Sequence, residues 1–142
     1  MATSWTDEGA SSPDARVAAF VTSIKGVHVN ELRTAIGTER TRRSLGAYSW
    51  SWSAVAANTD SILKTHLDEL RAAEVDTRTN GFCPTDGTAV PTWTESTITQ
   101  NVTSTKAQHI NELRAALNVM ENVSCLCNCN GHCSCNCNGH CR

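Results

Sequence analysis

The stretch IKGVHVNELRTAI (residues 24–36) decides the fold, because the chain repeats it as ILKTHLDELRAAE (62–74) and TKAQHINELRAAL (105–117). The copies align without gaps and share a histidine, a branched apolar residue, Asn or Asp, and then Glu-Leu-Arg with Ala two positions later. The shared histidines are 38 and 43 residues apart: His28, His66 and His109. Self-similarity at this spacing indicates a tandem-repeat architecture.

Each copy has the residue spacing of an amphipathic helix. In the first copy, His28, Leu32 and Ala35 recur at i, i+4 and i+7, and Val29 and Ile36 widen the apolar stripe. The same spacing recurs in the other copies at His66, Leu70, Ala73, His109, Leu113 and Ala116. A side chain typical of a helix N-cap precedes each copy at one aligned position: Thr22, Asp60 and Thr103. The sequence therefore predicts three helices starting there, each with a histidine on its apolar face.

A tryptophan flanked by small, mostly hydroxyl-bearing residues precedes each helix: Trp5, Trp52 and Trp93. A unit of roughly 40 residues cannot bury enough surface to fold alone, so we expect the units to pack together with the tryptophans as the largest core side chains. The links contain turn-forming residues, as in 79–87, where Cys83 lies. In the first unit 23 residues separate Trp5 from His28, against 14 and 16 in the others. This spacing leaves open whether Trp5 packs as its counterparts do.

These patterns predict a mainly α fold. We expect a small three-repeat helical domain over residues 1–123, with repeats at about 1–46, 47–87 and 88–123, and an irregular Cys-rich tail over 124–142. The net charge of -2, without a run of one sign, gives no electrostatic footprint for nucleic acid. No apolar run is long enough to span a membrane, and the first residues lack the layout of a signal peptide.

The WTD-like segment followed by I-K-x-x-H-x-N-E-L-R-x-A resembles modules of bacterial surface or secreted proteins and of phage-associated structural proteins. Such modules usually recur several in tandem, and the resemblance covers nearly all of residues 1–123. It implies a structural or display function on the extracellular surface or in a virion. It implies no enzymatic activity and transfers no site residue.

Each helix pairs its histidine with a glutamate three residues later: His28 with Glu31, His66 with Glu69, and His109 with Glu112. Such pairs could each present two metal ligands. Alternatively, the histidine is a half-buried packing residue whose ring N–H donates to a backbone carbonyl of the next unit, while Glu and Arg link units at the surface. We favour the structural role, because it has to recur in every repeat whereas an active site does not. No nucleophile, phosphate loop or zinc-peptidase motif accompanies these residues, so we predict that the protein is not an enzyme.

Seven of the eight cysteines lie within the last eighteen residues: Cys125, Cys127, Cys129, Cys133, Cys135, Cys137 and Cys141. Most belong to an octapeptide that occurs twice, as CNCNGHCS and CNCNGHCR. Each octapeptide contains Asn-Gly, the strongest short turn signal. We therefore predict a strand, a tight turn and a return in each, which brings together two cysteine pairs: Cys129 with Cys133, and Cys137 with Cys141.

Two chemistries fit the tail. It resembles the small cysteine-only metallothioneins, which implies Cu(I) or Zn(II) bound by the seven thiolates, with His132 and His140 as further donors. The other chemistry is disulfide formation within the tail or between subunits, with Cys83 as an eighth partner. We favour disulfides, because modules of this type belong mostly to the cell exterior, where thiols oxidise.

The function predicted from these observations is a self-assembling structural subunit of an extracellular filament or virion appendage. Its partners are copies of itself, and its tail cross-links them by disulfides. The prediction rests on a tandem repeat with two exposed ends, a Cys-rich tail and the lack of a catalytic motif. One alternative is a metal-binding or storage protein that holds Zn or Cu in the tail. Another is the precursor of a Cys-rich modified peptide with residues 1–124 as its leader.

Overall fold

The computed structural model describes residues 3, 5, 24–56, 62–81, 90–99 and 107–122. Within these ranges three helices follow one another and no strand is present: α1 (Gly26–Arg42), α2 (Lys64–Asn80) and α3 (Ala107–Asn122). The mainly α prediction is confirmed. None of the helices in this part of the chain is long and apolar enough to cross a membrane. Cys83 and the whole Cys-rich tail lie outside the described residues.

The predicted apolar faces form the core of the molecule. The three histidines are buried, and so are the residues four and seven positions after each of them: Leu32, Ala35, Leu70, Ala73, Leu113 and Ala116. Trp5 is also buried in this core, with only 4% of its surface exposed. Trp52 and Trp93 are partly buried and pack against its edge. The tryptophans therefore join the core as predicted, and the question left open by the longer first unit is answered, because Trp5 packs most deeply.

Two of the helices begin later than predicted. α1 and α2 each start four residues after the predicted N-caps Thr22 and Asp60. Those two residues, and Thr103 before α3, lie outside the described residues. The positions that act as N-caps in α1 and α2 are Lys25 and Leu63, neither of which makes a side-chain capping bond of its own. The buried histidine three residues later supplies the capping hydrogen bond instead. At its other end α2 continues through Thr79 and Asn80, two residues that the sequence placed in a loop.

The C-terminal ends of the three helices lie together, which shows that the helices run parallel. Arg43, directly after α1, donates from Nη2 to the carbonyl oxygen of Met120 near the end of α3, at 3.3 Å. Arg78, near the end of α2, donates to the carbonyl oxygen of Ala116 in α3, at 3.0 Å. Each helix contacts both of the others. The units therefore form a closed three-membered bundle.

This closure contradicts the predicted open repeat with two exposed ends. The first unit contacts the third: the backbone N–H of Thr3 donates to Glu121 Oε2 at 2.9 Å, and α1 packs against α3. The physical reason is that Trp5 takes the same place on α3 that Trp52 and Trp93 take on α1 and α2. Three copies of one unit-to-unit contact are enough to close the ring.

Candidate functional site

His28 and His66 cap the helices on which they lie. The backbone N–H of Lys25 donates to His28 Nδ1 at 2.9 Å, and that of Leu63 donates to His66 Nδ1 at 3.1 Å. A side chain at the third helical position that accepts from the N-cap N–H satisfies one of the donors that a helix start leaves unpaired. This bond differs from the one predicted, in which the ring N–H donates to a carbonyl of the next unit. Nδ1 accepts from the backbone of its own unit, which requires that nitrogen to be unprotonated.

The histidine rings also contact the tryptophan segment of their own unit. The rings of His66 and Trp52 lie 4.7 Å apart between centroids, tilted by 57°. His109 Nε2 lies 2.7 Å from Glu95 Oε2, two residues after Trp93. Each of these histidines thus joins its helix start to the extended segment that precedes it.

An arginine on each helix stacks on the tryptophan of the following unit, a contact that we call the Arg–Trp junction. The distances from the guanidinium carbon to the tryptophan ring centroid are nearly equal: 4.8 Å for Arg33–Trp52, 4.9 Å for Arg71–Trp93 and 4.9 Å for Arg114–Trp5. A guanidinium over an indole face within about 6 Å gains cation–π attraction, which grows when the pair is shielded from water. The third junction runs from the last helix to the first unit, so the set closes the ring.

Hydrogen bonds and ion pairs reinforce the junctions. Arg33 Nη1 donates to the carbonyl oxygen of Trp52 at 3.1 Å, and Arg71 Nη1 donates to that of Glu95 at 2.8 Å. The arginines also meet the repeated glutamate of the following helix, at 3.6 Å for Arg71–Glu112 and 3.3 Å for Arg114–Glu31. Glu and Arg therefore link units as predicted, although Arg71 and Arg114 are buried and not at the surface.

A second polar group lies at the C-terminal end of the bundle and consists of Glu39, Arg43, Glu74 and Arg78. All four side chains are at most 4% exposed. Burial raises the pKa of Glu74 and outweighs the opposing hydrogen bond and charge of Arg78. Burial also acts on Glu39, but hydrogen bonds from Arg42 and Arg43 outweigh it, so the pKa of that carboxyl is lowered. This end of the molecule is held by buried charge and not only by apolar packing.

In two of the predicted His–Glu metal pairs the glutamate binds a backbone N–H group. Glu69 accepts the backbone N–H of Ser51 at 3.0 Å, and Glu112 accepts that of Thr94 at 3.2 Å. These carboxylates hold the tryptophan segments, whereas His66 holds the start of α2 and His109 bonds to Glu95. Among the described residues, no three or more His, Cys, Asp or Glu side chains are grouped in a way that could hold a metal ion.

The remaining candidate ligands and cross-linking residues fall outside the described ranges: Cys83, Cys125, Cys127, Cys129, Cys133, Cys135, Cys137, Cys141, His132 and His140. Their places of attachment are described. Gly81 ends α2 and packs against Arg43, and Arg43 reaches Met120 near the end of α3. Cys83 is the second residue after Gly81, and Cys125 is the third after α3 ends. Both cysteines are therefore tethered to the same end of the bundle.

No protein-family model, curated protein or solved structure matches this chain.

Sequence reasoning did not identify the Arg–Trp junction, although the sequence contains its signal. The arginine follows the histidine by five residues in all three copies, and a tryptophan precedes every helix. Two large side chains that recur together in each unit of a repeat are candidates for a contact between units. The sequence does not show that each arginine contacts the tryptophan of the following unit and not the tryptophan of its own unit. That pairing depends on the closed arrangement of the helices.

We expect acid to weaken the fold through His66. Burial lowers the pKa of His66 below its usual 6.5, although the charge of Glu69 opposes this shift. The folded state therefore holds the neutral ring, and the stability that this contributes is lost as the pH falls from about 6.5 through the lowered pKa. Protonation of Nδ1 also removes the acceptor for the Leu63 N–H. Thermal melting followed by circular dichroism between pH 7.5 and 5 measures the effect.

Two replacements of His66 separate the cap from the titration. His66→Gln keeps an acceptor at a position where Gln commonly caps, so we expect little loss at pH 7 and a smaller drop in melting temperature on acidification. His66→Leu removes the acceptor and is expected to cost about 1–2 kcal/mol at pH 7. An acid sensitivity of His66→Gln equal to that of the parent would contradict this role for His66.

Proposed function

We propose that this chain is a non-enzymatic structural subunit that assembles with copies of itself into an extracellular filament or virion appendage. In this proposal the Cys-rich tail cross-links the subunits by disulfides. The observation that carries it is that the repeated polar residues fold each unit and hold neighbouring units together. His28 and His66 cap their own helices, and Glu69 binds the tryptophan segment of its own unit. The arginines stack on the tryptophan of the following unit, and Arg114 pairs with Glu31 of the first unit. A structural role accounts for the repetition of all three residue types.

The place where the thiols leave the bundle supports cross-linking. Cys83 and the tail are tethered to one end of the molecule, while the histidine-capped helix starts lie at the other. Thiols attached to the chain near this end could pair with one another or with those of an adjoining copy without disturbing the junctions. Each disulfide forms when two thiols lose two protons and two electrons to an oxidant, such as molecular oxygen or the disulfide of an extracellular oxidoreductase.

Electrophoresis of the purified full-length chain tests the cross-linking. We expect a ladder of multimers without reductant that collapses to one band at 15.3 kDa with reductant. A variant with the seven tail cysteines changed to Ser should lose the ladder, whereas Cys83→Ser as the matched single change shows whether Cys83 takes part. Electron microscopy of the oxidised parent should show filaments or appendage-like particles.

Two results would overturn the proposed function. A monodisperse monomer at all concentrations in oxidising buffer would exclude self-assembly. Several equivalents of copper or zinc per chain, found by elemental analysis after anaerobic purification, would favour metal storage in the tail. In that case the seven thiolates would be ligands, and chelation would be expected to release the metal without changing the helix content of the described domain.

A further inference from the structure

The third Arg–Trp junction differs from the other two in how the chain reaches it. Arg114 on α3 stacks on Trp5 at 4.9 Å, and Glu121 on the same helix binds Thr3 through its backbone N–H and its hydroxyl. Arg114 also lies 3.3 Å from Glu31 on α1. The N-terminal arm, defined here as Thr3 and Trp5, therefore occupies a site built mainly by α3. We call this place on α3 the arm site.

The tether between the arm and α1 is longer than closure within one chain requires. In the second and third units, 14 and 16 residues run from the tryptophan to the histidine of the following helix. The first unit makes an equivalent connection, since its tryptophan occupies an equivalent junction, yet it uses 23 residues. The first unit therefore has seven to nine more residues between its tryptophan and its histidine than the other units use.

We propose that the arm exchanges between copies, so that Trp5 of one subunit fills the arm site on α3 of the next. This inference rests on the proposed function and names the non-covalent contact by which the subunits assemble. The contact already exists within one chain, so exchange needs no new surface. Each subunit gives one arm and receives one, at different places on its surface. Such a head-to-tail contact produces a ring or an open filament, depending on the rotation between copies.

The length of the tether decides whether the arm can reach a second bundle. The chain has 18 residues between Trp5 and Ile24, and a chain of that length can span at most about 60 Å. α1 has 17 residues and is about 26 Å long, which sets the scale of one bundle. If eight of the 18 residues were removed, the remaining ten could span at most about 33 Å. The arm would then reach little farther than its own bundle.

A deletion with a matched control tests the exchange. Removal of residues 12–19 shortens the Trp5–His28 spacing to 15, between the two values that close the other junctions, so closure within the chain stays unstrained. The control replaces the same eight residues with Gly and Ser and keeps the length. All three full-length proteins are compared in reducing buffer by sedimentation over a range of concentrations, with circular dichroism to check the helix content.

We expect the parent and the Gly/Ser control to form multimers in reductant, and the deletion to need at least about tenfold more protein to do so. Equal assembly of the deletion and the parent would overturn arm exchange and leave self-assembly standing. A parent that is monomeric in reductant but cross-linked without it would overturn arm exchange alone. A parent that is monomeric in both buffers would overturn the proposed function as well.

A cross-linking measurement identifies the exchanged contact directly. Thr3→Lys places an amine beside Glu121, and a zero-length carbodiimide can join the two. Equal amounts of chains with natural nitrogen and with nitrogen-15 are unfolded, refolded together and cross-linked. We expect peptide pairs of mixed isotope in the assembled fraction. Pairs of one isotope only, in a fraction that sedimentation shows to be assembled, would overturn the exchange even if the deletion variant failed to fold.

Discussion

Arg78→Met is expected to lower the free energy of unfolding by about 3–5 kcal/mol at pH 7. Arg78 donates twice to Glu74 Oε1, at 3.0 and 2.6 Å, and once to the carbonyl oxygen of Ala116, at 3.0 Å. Glu74 is fully buried, and within the described part of the chain its other carboxylate oxygen already has no hydrogen-bond partner. Removal of Arg78 therefore leaves a buried carboxylate without its main counter-charge. Urea unfolding followed by circular dichroism measures the loss.

Acid should reduce the cost of Arg78→Met. Burial holds the pKa of Glu74 above its usual value even with Arg78 present, and the loss of that cation raises it further. A carboxyl with a raised folded-state pKa favours the fold when it is protonated, and that contribution disappears as the pH rises through the raised pKa. The difference between parent and variant is therefore expected to be largest at neutral pH and smaller near pH 5.

A second change distinguishes the stranded charge from lost packing. Glu74→Leu combined with Arg78→Met replaces both charges with apolar side chains and should recover most of the loss, because a buried ion pair is often no more stable than an apolar pair of similar volume. Arg42→Met is the matched control. Its side chain is 35% exposed and Glu39 keeps Arg43 as a partner, so we expect a loss of at most about 1 kcal/mol. A double variant as unstable as Arg78→Met would contradict the stranded-charge explanation.

The three helices and their buried faces could be predicted from the sequence because helical periodicity is a local property. His28, Leu32 and Ala35 recur at the spacing that places side chains on one face, and all three are buried. The helix starts could not be predicted in the same way. Thr22 has the side chain of an N-cap, yet the cap hydrogen bond comes from His28, inside the helix. A histidine at the third helical position gives no sequence signal as strong as a hydroxyl before the helix.

The closed ring could not be predicted because it depends on contacts between residues far apart in the sequence. Arg114 and Trp5 are more than a hundred residues apart, and nothing in their local sequence pairs them. A tandem repeat can form an open row or a closed bundle with the same helices, and the choice depends on the rotation between neighbours. Here three Arg–Trp junctions of nearly equal length indicate one repeated rotation that closes after three units.

Closure changes what the repeats contribute to assembly. An open row would offer the unfilled side of its first and last units to further copies, and the closed bundle has used those surfaces on itself. In the proposed function, assembly would therefore come from segments attached to the bundle, and the sequence supplies two: the long-tethered arm and the Cys-rich tail. Arm exchange would bring subunits together reversibly, and disulfides from the tail would then make that association permanent.

Gly26→Ala is expected to lower the free energy of unfolding by about 2–3 kcal/mol, although Ala is the better helix former. A Cβ atom at Gly26 would lie 2.1 Å from the carbonyl oxygen of Ala56 and 2.9 Å from a side-chain carbon of Val55. Asn30 holds Val55 from both sides, accepting its N–H at 3.0 Å and donating to its carbonyl oxygen at 2.6 Å. The second unit's segment therefore cannot move away without loss of these bonds.

Gly37→Ala is the same chemical change on the same helix and should have the opposite sign. Apart from the backbone of α1 itself, no atom of the described residues lies within 4 Å of a Cβ built at Gly37, so the substitution is expected to stabilise α1 by about 0.5–1 kcal/mol. Urea unfolding of the two variants beside the parent gives both values. The aligned positions in the other helices carry side chains, Lys64 and Ala107, so the close approach at Gly26 belongs to the contact between the first and second units. If Gly26→Ala proved as stable as Gly37→Ala, residues 55 and 56 would not be held against α1. The two hydrogen bonds between Asn30 and Val55 would then not fix this segment in place.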